Sequence, residues 1–210
     1  MTEKLPADSI NTNQTFTKAH DDMRKGYANG SIGIIVSGLM WLISAIVAYQ
    51  YSSKQAVYIL LIGGMFIHPV ATLFSKLIGL PGTHTKGNPL ANLAMEGTIF
   101  MIMCLPLAFG LSLQHTEWFF QGMLLIIGGR YLTFASIYGS NLYYILGAFL
   151  GIAAYLLFYF KVQSPGSLIT GSLIEISFGF LLFLSFRREA KRVALAQEPD
   201  VSHINPMEYF

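Results

Sequence analysis

The chain has 210 residues, of which 53% are hydrophobic and only 11% charged, with a mean hydropathy of +0.53. A soluble domain carries about 25% charged residues, so the balance points to a membrane protein, and a net charge of +2 gives no reason to expect a nucleic-acid partner. The lone Cys104 excludes an internal disulfide and leaves no cysteine set for a metal.

In chain order, residues 1–28 form a polar tail without the apolar core of a signal peptide, so the first span is expected to be an uncleaved anchor. Within it, Phe16, Ala19, His20, Met23 and Tyr27 recur every three or four residues between charges. That spacing predicts a short amphipathic helix over 15–27, lying on the membrane surface. Six apolar segments follow, at 29–50, 55–76, 92–114, 118–138, 141–160 and 167–186. About 20 helical residues cross a hydrocarbon core, so 29–186 reads as a six-span domain with no room for a separate soluble one. The last helix is expected to continue through 187–198 in a basic C-terminal tail, 187–210, suited to an anionic lipid surface.

Charge sets the orientation. Ten Lys and Arg fall on one side of the spans, in the two tails and beside the second loop, and two, Lys54 and Lys161, on the other. The positive-inside rule then places both termini in the cytoplasm. The fold expected is an all-α, integral membrane six-helix bundle.

Charged groups inside a membrane cost about 2.5–3.5 kcal/mol each on insertion scales and mark function by default. Here they are Glu96, Arg130 and Glu175, with His68 beside them. Counting from the predicted ends puts His68, Glu96 and Arg130 in the cytoplasmic half and Glu175, a second intramembrane acid, in the outer half. With Asn88 and Asn92 from the polar loop 83–92, the first three outline a polar cavity open to the cytoplasm. One reading gives Arg130 an anion or lipid phosphate to hold; the other makes Arg130 and Glu96 a structural ion pair. A kink is expected at Pro69. The loop itself reads either as a lid over the cavity or as a helix-start turn, with Asn88 or Asn92 as cap.

Gly147 and Gly151 form a small-xxx-small pair that favours close helix packing, and through it a homodimer. LAMEGTIFMIM (93–103) and SLIEISFGFLL (172–182) each carry one Glu near a helix start, the mark of a weak 3+3 inverted repeat.

SKLIGL (75–80) and KGNPLANL (86–93), preceded by Phe66, His68 and Pro69 in a span, carry a resemblance, joined by Gly-Arg-Tyr at 129–131. Over residues 29–160 the chain resembles a family of small bacterial multi-pass membrane proteins of unknown function. The resemblance implies a bacterial inner-membrane location and supplies no catalytic residues. No cofactor is expected, and no HExxH, paired-Asp or Ser-His pattern points to an enzyme. The function expected is binding or transport of a small solute, anion or lipid. The alternatives are an accessory, sensor or immunity-type membrane protein and a lipid-phosphate-modifying enzyme.

Overall fold

A computed structural model describes residues 7–196. Seven α-helices run in order: α1 Ala7–Tyr27, α2 Ser31–Gln50, α3 Ser53–Leu77, α4 Pro89–Gln114, α5 Thr116–Tyr138, α6 Leu142–Tyr159 and α7 Ser164–Ala196. Helices α2 to α7 are each long and apolar enough to cross a membrane, which makes the chain an all-helical six-span bundle. Gln197 and the residues after it, the end of the expected basic tail, lie outside the described residues.

Local chemistry sets the helix ends. Ser52 caps α3 by accepting from the Gln55 backbone N–H at 3.2 Å. Asn88 caps α4 through Leu90 N–H at 2.9 Å, with Pro89 in the first turn where its missing donor is harmless. Helix α3 continues unbroken through Pro69, and α4 through Pro106. Between α1 and α2, three residues in a row take positive φ: Ala28 (49°), Asn29 (55°) and Gly30 (72°). This left-handed run separates α1 from the first span, so α1 is a helix apart from the bundle axis rather than an extension of α2.

Small residues let the spanning helices approach. A Cβ on Gly38 or Gly179 would sit within 2.7 Å of Ile176 or Ile35, so α2 and α7 meet with almost no side chain between them. Gly128 of α5 faces Gly147 of α6 in the same way, where a Cβ on Gly147 would lie 2.7 Å from the Gly128 carbonyl oxygen. Gly147 and Gly151 thus face α5 of the same chain, and the seam expected to join two copies is used within one. Gly63 meets Met40 between α3 and α2, and Gly97 meets Thr133 between α4 and α5.

The principal pairings are α2 with α7 and α3, and α5 with α6 and α4. Exchanging α2, α3, α4 for α5, α6, α7 maps these pairings onto each other, as a 3+3 repeat would. The symmetry stops there, because α6 packs on α7 whereas α3 and α4 share no substantial interface. The core lies among α2, α5, α6 and α7, with Trp41, Phe119, Phe120, Leu124, Tyr143 and Leu146 fully buried. Helices α3 and α4 are outriggers that each present a largely apolar outer face.

Candidate functional site

Helix α5 carries an aromatic stripe at Tyr131, Phe134 and Tyr138, spaced i, i+3, i+7 so that all three share one face. Tyr143 of α6 completes the cluster: its ring stacks on Tyr138 at 5.4 Å and lies 6.0 Å from Tyr131. The Tyr143 hydroxyl donates to the Asn29 carbonyl at 2.6 Å and so ties the left-handed turn to the bundle.

Arg130 sits at the seam of α4 and α5. Its guanidinium donates to the Thr98 hydroxyl at 3.1 Å, reaches the Met101 sulfur at 3.6 Å and lies 5.0 Å from the centre of the Phe134 ring. Its buried Nε has no hydrogen-bond partner. The ion pairs among the described residues are Arg24–Asp21, Arg24–Glu189 and His115–Glu117. Arg130 therefore has no carboxylate within pairing distance, and the expected Arg130–Glu96 bridge is not formed. At about 1.5 Å per residue, Arg130 and Thr98 lie about 12 Å and 13 Å from the nearer ends of their helices.

Glu175 is fully buried between α7, α2 and α5. Tyr131 donates to its Oε1 at 2.8 Å, and the Ser37 hydroxyl of α2 is a further polar neighbour. Its Oε2 has no partner of good hydrogen-bond geometry. Helix α7 starts at Ser164, three residues before the predicted span, so Glu175 lies about 16 Å along it. The bond to Tyr131 brings it level with the residue beside Arg130, near the middle of the bundle.

The other predicted site residues separate. Asn88 is buried in the turn before α4 and donates to the Asp22 carboxylate at 2.8 Å and to the Ala19 carbonyl at 3.0 Å. Asp22 also accepts from the Thr85 backbone and hydroxyl. The 83–92 loop is thus a helix-start turn that docks α1. Asn92 and Glu96 are exposed on α4, and His68 is exposed on α3 with its ring 6.4 Å from that of Tyr27. Among the described residues no hydrogen bond or ion pair joins any two of His68, Asn88, Asn92, Glu96 and Arg130, so they do not assemble as one polar cluster.

The structure adds residues that sequence reasoning passed over: Thr98 and Phe134 around Arg130, Tyr131 and Ser37 around Glu175. The signal for the aromatics was the α5 stripe flanking Arg130. For Ser37 and Thr98 there was none, because a single hydroxyl in a span is usually a packing residue. Replacing Asn88 with alanine removes the α4 cap and a donor to Asp22. About 1 kcal/mol of stability should be lost, together with faster amide exchange over residues 19–24. An unchanged exchange rate there would show that α1 is held by its other contacts alone.

Helix α1 closes one end of the bundle. Ala19 and Met23 are buried, His20 bonds the Ile137 carbonyl at 3.0 Å, and Arg24 donates to the carbonyls of Tyr138 (2.7 Å) and Gly139 (3.1 Å) and to Glu189 (3.2 Å). Ala19 and Met23 of its apolar face therefore pack on protein, while Phe16 stays exposed.

Comparison with curated proteins and with solved structures finds no match. A family model does match, over residues 16–187, which extends past the resembling region at both ends to take in most of α1's described side chains and the spanning part of α7. On that match, the chain belongs to the family of unknown function DUF7010.

Proposed function

We propose that this multi-pass membrane protein binds an anionic group, a carboxylate or phosphate of a small solute or lipid, at the Arg130 seam between α4 and α5, and that movement of α4 gives access to it. The observation that carries the reading is the guanidinium itself. It is held in the bundle by a hydroxyl, a sulfur and a ring, with a buried Nε unbonded and no carboxylate within ion-pair distance, the buried Glu175 lying farther off. A planar fork of donors in that state is a receptor for a planar or tetrahedral oxyanion. Helix α4 suits a moving wall because its main interface is with α5 alone. The ten-to-two distribution of basic residues supports a cytoplasmic face at the α1 end, with both termini inside, in a bacterial plasma membrane. Transport is the extension of such a site to both faces.

Native mass spectrometry of gently solubilised protein tests the reading. Wild type should retain an adduct that Arg130→Gln reduces at least tenfold and Arg130→Lys reduces less. The Gln variant should melt no lower than wild type, because removing an intramembrane charge offsets the lost contact with Phe134. Identical adducts in all three proteins, or a collapse of folding with no ligand in wild type, overturns it.

A second reading, an accessory or sensor protein, draws on Glu96 and His68. Both face outward from spanning helices, where a polar group is ordinarily met by another helix. Lipid-phosphate chemistry has less support: among the described residues no three His, Cys, Asp or Glu come together to hold a metal.

A further inference from the structure

A second, separate feature lies at the α1 end, in the groove between the start of α6 and the end of α7. It has a volume of about 500 Å³ and is lined by Leu142, Leu181, Leu184, Ser185, Arg188, Glu189 and Arg192. From Ser164, 22 residues of α7 rise about 33 Å, enough to cross a hydrocarbon core of about 30 Å. Ser185 therefore stands at the boundary, the leucines lie below it in the hydrocarbon, and Arg188 and Arg192 stand above it in the headgroup layer. The two arginines are four residues apart, so their side chains share one face. Glu189 does not cancel them, because its carboxylate is taken by Arg24 at 3.2 Å. Arg188 and Arg192 have no ion pair among the described residues.

We infer that this groove is a binding site for one anionic phospholipid, with the phosphate between Arg188 and Arg192, a headgroup oxygen accepting from Ser185 and an acyl chain along Leu181, Leu184 and Leu142. Charge complementarity chooses the occupant: two guanidinium groups with no ion pair among the described residues, above an apolar wall, match a molecule that is anionic at one end and hydrocarbon at the other. A protein helix would leave both arginines without counter-charge, and a zwitterionic lipid would place its cation beside them. The site is independent of Arg130, which lies deep in the α4–α5 seam.

The test is native mass spectrometry of the full chain titrated with phosphatidylglycerol or phosphatidylcholine. Wild type should take one phosphatidylglycerol at concentrations where phosphatidylcholine binds at least tenfold less. Arg188→Gln/Arg192→Gln should lose that adduct about tenfold. Arg187→Gln/Lys191→Gln, which removes the same charge beside the groove, should keep it, and Arg130→Gln should keep it too, so this site and the seam fail separately. All four side chains are exposed, so both double variants should melt with wild type. Equal loss in the two double variants would mean diffuse surface attraction and overturn the site. Displacement by millimolar inorganic phosphate would reduce it to a phosphate site without an acyl wall and overturn the lipid assignment. Should Arg188→Gln/Arg192→Gln fail to fold, Leu181→Ala/Leu184→Ala, which trims the acyl wall without changing any charge, replaces it; undiminished binding there overturns the proposal equally.

Discussion

Tyr131→Phe should destabilise the bundle by about 1–3 kcal/mol, the range for leaving a buried acceptor without its donor. The reasoning rests on Glu175, fully buried with Tyr131 as the hydroxyl bonded to Oε1 and with Oε2 already unpartnered. Removing one oxygen atom leaves no cavity of consequence, so the loss reports the polar contact rather than packing. Glu175→Leu in the Tyr131→Phe background should recover most of it, because the buried carboxylate and the hydroxyl that served it are then both gone, leaving the Ser37 hydroxyl of α2 as the polar group at that contact. Unfolding of the wild type, both single variants and the double in one detergent gives the coupling energy, expected above about 0.5 kcal/mol for groups in contact. Additive effects would show that Tyr131 and Glu175 do not support each other.

Gly30→Ala should destabilise the protein by about 3 kcal/mol from two independent causes. At φ 72° a Cβ is strained whatever the surroundings. The added methyl would also run into the Tyr143 hydroxyl, the group that holds the Asn29 carbonyl. If the hydroxyl gives way, the turn loses its anchor; if it stays, the turn cannot close. Gly87→Ala separates the two causes, because Gly87 has φ 88° with nothing within 4 Å of its Cβ position. It should lose only the backbone part, about 1 kcal/mol. Equal melting of the two variants would mean that the Tyr143 contact carries no weight.

Six spans were legible because twenty apolar residues have few other uses, and each observed helix overlaps its predicted segment. The ends shifted by up to three residues where polar caps extend a helix past the apolar run, as at Ser52 and Asn88. Position along a helix was legible as well: Arg130 lies about 12 Å from the end of α5. Azimuth was not. Glu96 and Thr98 are two residues apart, about 200° around a helix. Gly97 and Thr98 face α5, so Glu96 turns away from the arginine it was expected to meet. A hydropathy profile records how far along a helix a charge sits and nothing of which neighbour it faces. The separation of His68, Asn88 and Asn92 has the same origin. Asn88 was readable as a cap, but its hold on Asp22 joins residues 66 apart in sequence, and no local pattern encodes that.

The docking of α1 has a consequence for how the protein is made. Its partners come from three widely spaced stretches: Thr85 and Asn88, then Ile137 to Gly139, then Glu189, 165 residues after Arg24. A ribosome delivers about 5–20 residues per second, so for many seconds α1 exists while part of its binding surface does not. During that interval Ala19 and Met23, buried in the finished protein, lack part of their cover. The docking of α1 is thus completed late, and the contact between Arg24 and Glu189 closes only when the last helix is in place.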